Sequence, residues 1–154
     1  MLIDTPAQQV GTAALVLTCG LAFWRGARPD KLGAAAMAVA WIATPLVERR
    51  GDWFEPQYGI LIVDSLLLAA FIALALRYDR RWPLCAAAFQ SFAVLTHLAF
   101  LINPHALYRA YYYANFSIGF LFLGSLFGGV LLEPREAKPR KRRFSRRPPE
   151  RRPA

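Results

Sequence analysis

Apolar residues in this chain fall into long unbroken blocks, separated by short stretches rich in charge or proline. The blocks lie at about 9–24, 32–46, 58–76, 82–102 and 107–132. A helix that crosses a bilayer needs roughly 20 mostly apolar residues. The runs are continuous rather than alternating, which favours helices over a β-barrel. The pattern predicts an all-α membrane protein, a compact bundle of about five transmembrane helices over residues 1–133. The second block is the shortest. It is Ala-rich and carries Pro45 near its end, so a re-entrant or interfacial segment is an alternative. Charged groups at both ends favour a span.

Composition agrees with this pattern. Hydrophobic residues make up 56% of the 154, against about 45–50% apolar residues in soluble domains. The five blocks use most of the chain and leave no room for a separate soluble domain. No Lys or Arg precedes the first block in "MLIDTPAQQV", whereas a cleaved signal peptide begins with a basic region. The first block is therefore expected to stay in the mature protein.

Charge sets the expected orientation. Arg25, Arg28 and Lys31 lie in the first loop, and Arg77, Arg80 and Arg81 in the third. Ten more basic residues follow Glu133. With five spans these regions share one side, while Arg49, Arg50 and Arg109 lie on the other. The excess of Lys and Arg on the cytoplasmic side of membrane proteins then places the N-terminus outside and the C-terminus in the cytoplasm. Trp24 and Trp82 mark the cytoplasmic ends; Trp53, Tyr108 and Tyr111–Tyr113 mark the outer ends, as interfacial aromatic belts do. The bias to Arg and Ala fits a GC-rich genome and hence a bacterial inner membrane, with periplasm outside.

The tail at 134–154 holds five prolines and ten basic residues. Proline interrupts helix and charge opposes a core, so disorder is expected. Arg140, Lys141, Arg142, Arg143, Arg146 and Arg147 are its densest cluster. Contact with anionic lipid headgroups is the preferred role. Nucleic acid is the weaker alternative, because no folded recognition module accompanies the charge.

Two features concern helix packing and chemistry. In "GSLFGG", Gly124 and Gly128 form GxxxG, and Ser125 and Gly129 repeat the spacing one residue on. Small residues at this spacing let helices approach closely in lipid. Packing against Ala34, Ala36, Ala38 and Ala40 within one chain is the preferred outcome, and a homo-oligomer through the fifth helix is the alternative. The two cysteines, Cys19 and Cys85, read as packing residues. The histidines, His97 and His105, sit in no zinc-binding pattern, and two-histidine haem ligation would need His105 out of its "NPHALY" connection. No metal, cofactor or catalytic residue is assigned.

Asp64 is the costly residue, since it interrupts the apolar run "YGILIVDSLLLAAF". At 1.5 Å per residue it lies roughly 9 Å below the outer boundary, His97 roughly 8 Å and Asn115 roughly 10 Å. Thr44 lies near the same level on the second helix, sharing a face with Trp41 and Glu48, and Gln90 shares a face with His97. Asp64, His97, Asn115, Gln90 and Thr44 thus form a candidate polar cluster. Asp64 is expected to pair with His97, with Asn115 as a further donor. Such a cluster can fix helix order, or serve as a proton-linked or ligand site, because histidine changes charge near neutral pH. The leading expectation is a non-enzymatic accessory or scaffolding subunit within a membrane-protein complex; the alternative is a small transporter or ligand-binding protein built on the polar layer.

Reporter fusions test the orientation. A fusion after Glu133 should read cytoplasmic and one near Trp53 external. Deleting residues 135–154 should change neither, since the loops alone carry the bias.

Overall fold

The computed structural model describes residues 6–48, 57–102 and 104–132, with backbone only at 6–7, 104–109 and 112. Five α-helices account for nearly all of these: α1 (Pro6–Arg25), α2 (Arg28–Val47), α3 (Tyr58–Arg77), α4 (Trp82–Ile102) and α5 (Pro104–Leu132). Each contains one of the five apolar blocks. Residues 28–47, 58–77, 82–102 and 113–132 are long and apolar enough to cross a membrane. The second block, shortest by pattern, is thus a full 20-residue helix. α1 is as long, but opens on Gln8 and Gln9 and is not among those four. The basic tail lies outside the described residues.

Local chemistry explains the helix boundaries. α1 and α2 are joined by Gly26 and Ala27 alone. A side chain at Gly26 would collide with the Ala22 carbonyl and Asp30 Cβ, so the tight turn requires glycine. Pro29 stands at the start of α2, where its missing N–H costs nothing. Asp30 reaches back to accept the Ala27 N–H at 2.7 Å, and its negative charge suits the positive end of the helix dipole. Pro83 plays the same starting role in α4.

The helices pack in chain order, α1 on α2, α2 on α3, α3 on α4 and α4 on α5, and α5 returns to α1. The ring is therefore closed, and α2 also touches α5 across it. Its outer surface is apolar: Leu17, Leu46, Leu66 and Leu76 are all well exposed. That arrangement suits lipid contact, where no hydrophobic force drives such residues inward.

One end of the ring is sealed. Asp30 is 1% exposed and Arg80 lies buried beside it. Arg80 Nη1 stands 3.3 Å from Asp30 Oδ1, and the Trp82 indole N–H donates to the same oxygen at 2.8 Å. Trp82 then fills the space between α2 and α5: a Cβ at Gly33 or at Gly129 would strike its ring. Phe71 meets Trp82 edge-on at 5.8 Å and Phe122 at 5.0 Å, above Leu126 and Ala34, which are fully buried. Cys19 joins this layer, its thiol 3.5 Å from the Ala34 carbonyl, whereas Cys85 is exposed on the far side of α4.

The glycine expectation needs correction. Gly124 and Gly128 do not bring α5 against α2, since a Cβ at either meets nothing within 4 Å. Helical rotation turns Phe122, Leu123, Leu126 and Gly129 inward and leaves Gly124 exposed. Of the four small residues, Gly129 makes the close approach, and Ser125 bonds the Phe122 carbonyl of its own helix at 2.6 Å.

These contacts separate two substitutions on one helix. Gly129→Val should lower stability in a detergent melt by about 1–3 kcal/mol, the usual cost of overpacking. Gly124→Val should leave the monomer's stability close to wild type. Equal effects would contradict the Trp82 fit.

Candidate functional site

At the opposite end the ring stays open around a cavity of about 440 Å³. Every helix contributes to its wall: Gln8 from α1, Thr44 from α2, Asp64 from α3, His97 from α4 and Asn115 from α5. Gln90 lines it as well, so all five residues of the expected polar cluster face one space. Leu15, Met37, Leu67 and Leu123 make its inner part apolar. The sealed layer of Phe71, Trp82 and Leu126 lies beyond.

Asp64 and His97 are joined directly, with His97 Nε2 2.9 Å from Asp64 Oδ2. The other ring nitrogen, Nδ1, lies 3.0 Å from the Tyr111 hydroxyl. The rings of His97 and Tyr111 also meet edge-on at 5.2 Å. Both imidazole nitrogens are therefore used, which fixes the ring between α3 and α5. With an ionised Asp64, a neutral His97 donates from Nε2 and accepts the Tyr111 O–H at Nδ1. A proton arriving at His97 would reverse that last bond, because the tyrosine oxygen can also accept. The relay thus has a hydrogen-bonded state with and without the added proton.

Asn115 acts differently from the expectation. Its amide donates to the Tyr111 carbonyl at 3.0 Å, and its oxygen lies 3.2 Å from the Thr96 hydroxyl. It therefore ties α5 to α4 beside the pair and does not reach the Asp64 carboxylate. Gln90 donates to the Asp64 backbone carbonyl at 3.3 Å. The Thr44 hydroxyl bonds the Ala40 carbonyl one turn back, at 2.9 Å. Among the described residues, Asp64 Oδ1 has no hydrogen-bond partner, and the Asp64 side chain remains 19% exposed.

Tyr111 was legible only as an interfacial aromatic. Its position four residues before Asn115, on the same face of α5, was the available signal. Asp30 carries no expectation from the sequence pattern; the order Pro-Asp just before an apolar block is the signal that marks it as a helix-start residue. Trp41 completes the wall. Its ring lies against Gly11 of α1, 3.2 Å from where a Cβ would stand. Pro45 offers no N–H four residues on, so the Trp41 carbonyl lacks its usual helical donor. Among the described residues, no group of three or more His, Cys, Asp or Glu could hold a metal ion.

The chain matches no protein-family model, no curated protein and no solved structure. The cavity and its relay are accordingly read from their own chemistry.

A double-mutant cycle measures the relay. Asp64→Leu and His97→Leu should each destabilise the protein in detergent, and the double variant should recover part of the loss. The coupling should be about 0.6 kcal/mol, the average for hydrogen bonds within membranes, and up to about 1.7. Tyr111→Phe should cost less than His97→Leu, because one bond is lost and the ring stays packed. Strict additivity of Asp64 and His97 would contradict the pairing.

Proposed function

We propose that this is a small multi-pass membrane protein that takes a small molecule into the space between its helices, beside a relay able to accept and release a proton. The cavity carries this reading. Its volume falls within the roughly 300–1,000 Å³ of small-molecule sites, and it pairs an apolar wall with a few convergent polar groups. An ionisable pair in a membrane bundle is itself a functional candidate. The site offers binding and proton exchange, and no catalytic role is assigned to it.

The accessory-subunit reading keeps one supporting observation. Gly124 stands exposed on α5 with open space beside it, a place where another helix could approach. A homo-oligomer or a larger membrane complex through that face is the second proposal.

For location, we propose a bacterial inner membrane with the open end facing the periplasm. If the four apolar helices cross, the first turn, residues 78–81 and the tail share a side whether or not α1 crosses. Their Lys and Arg support a cytoplasmic placement, although Arg80 is partly neutralised by Asp30. Anionic headgroups would then hold the tail.

Cysteine accessibility tests the cavity. In a Cys19→Ala, Cys85→Ala background, Ala40→Cys and Ala93→Cys face the space and Ala86→Cys lies in the sealed layer. A charged, membrane-impermeant thiosulfonate applied from the periplasmic side should label the first two and spare the third. Protection of both Ala40→Cys and Ala93→Cys would overturn the reading.

A further inference from the structure

The wall chemistry of the cavity goes further than its size, and points to the charge of what it holds. We infer that the occupant is a lipophilic organic cation: an amine, ammonium or phosphonium group carried on an apolar, preferably aromatic, body. This rests on reading the cavity as a ligand site and adds the ligand's chemical class.

Three observations carry it. First, the described lining includes two carboxylates, Asp64 within and Glu48 towards the mouth, and no Lys or Arg. His97 is the one basic side chain among those residues, and its Nε2 is held on Asp64 at 2.9 Å. An anion entering the space would meet two negative groups and only an imidazole already engaged with one of them. A cation would meet opposite charge at both depths.

Second, Asp64 keeps an acceptor in reserve. His97 occupies Oδ2, while Oδ1 is without a hydrogen-bond partner among the described residues. An ion pair in such low-dielectric surroundings is far stronger than in water. The bound cation would supply what the second oxygen lacks, while the His97–Tyr111 relay continues to hold the first.

Third, the remaining wall suits the body of such a ligand. Trp41, Tyr111 and Phe116 present aromatic surface, and Leu15, Met37 and Leu67 line the inner part. Cations are drawn to aromatic faces, with tryptophan the strongest, and quaternary ammonium ligands are recognised by such cages. A hydrated metal ion would gain nothing from the apolar remainder. An uncharged lipid would leave Asp64 Oδ1 and Glu48 without a counter-charge.

Tetraphenylphosphonium and tetraphenylborate share size and shape and differ in sign, so they isolate charge from burial. Radiolabelled tetraphenylphosphonium should bind the full-length detergent-purified protein saturably. Unlabelled tetraphenylphosphonium should compete, and tetraphenylborate should not. Asp64→Asn should weaken binding by about tenfold or more, as expected when one partner of a desolvated charge pair is removed. Glu48→Gln, at an exposed position near the mouth, should weaken it less. Should Asp64→Asn fail to fold, the sign preference of the wild-type protein and the effect of Glu48→Gln still decide. Equal competition by the anion, or no saturable binding of the cation, would overturn the proposal. Labelling of Ala40→Cys and Ala93→Cys in the same preparation would then confine the failure to ligand class; protection of both would remove the ligand site itself.

Discussion

Helices in a bilayer gain little from hiding apolar surface, because lipid is as apolar as their neighbours. What holds this ring together must therefore include close fit and polar ties, and both meet at Asp30. Its carboxylate accepts from the Ala27 backbone, from Trp82 and from Arg80. Left without those partners, a carboxylate at 1% exposure would carry a large desolvation penalty. The three donors come from the α1–α2 turn, the α3–α4 connection and the first residue of α4. One side chain thus gathers four helices at one end, and Trp82, fixed by the same bond, reaches the fifth at Gly129.

Closing the ring there frees the other end. Small residues and one large indole bring α2 and α5 together in the sealed layer, and the helices need not meet again above it. The space that remains is lined by polar groups whose bonds run mostly between helices: His97 to Asp64 and Tyr111, Gln90 to the Asp64 backbone, Thr96 to Asn115. Those bonds tie α3, α4 and α5 together at the open end. Groups already held in place lower the ordering cost of binding in general, which is the physical basis of the ligand-site proposal.

The relay ties helices together and lines the cavity at the same time. The bonds on both nitrogens of His97 satisfy buried polar groups, as any folded protein requires. Yet the carboxylate retains one oxygen facing the cavity, and the imidazole can change its proton count without losing either partner.

Much of this architecture was legible in the chain. Block length and continuity dictated five helices, because backbone groups in lipid must be satisfied within a helix. Counting 1.5 Å per residue along successive helices placed Asp64 and His97 at one depth, and the cost of a lone carboxylate there implied a partner. Depth, however, says nothing about rotation around a helix axis. Only the tertiary structure decided that Tyr111, and not Asn115, completes the relay; that Gly129 and not Gly124 makes the close contact; and that a charge in the first loop is the buried centre of the sealed end. The cavity too was decided there, because it is the space left between five helices whose facing residues, drawn from all along the chain, do not fill it.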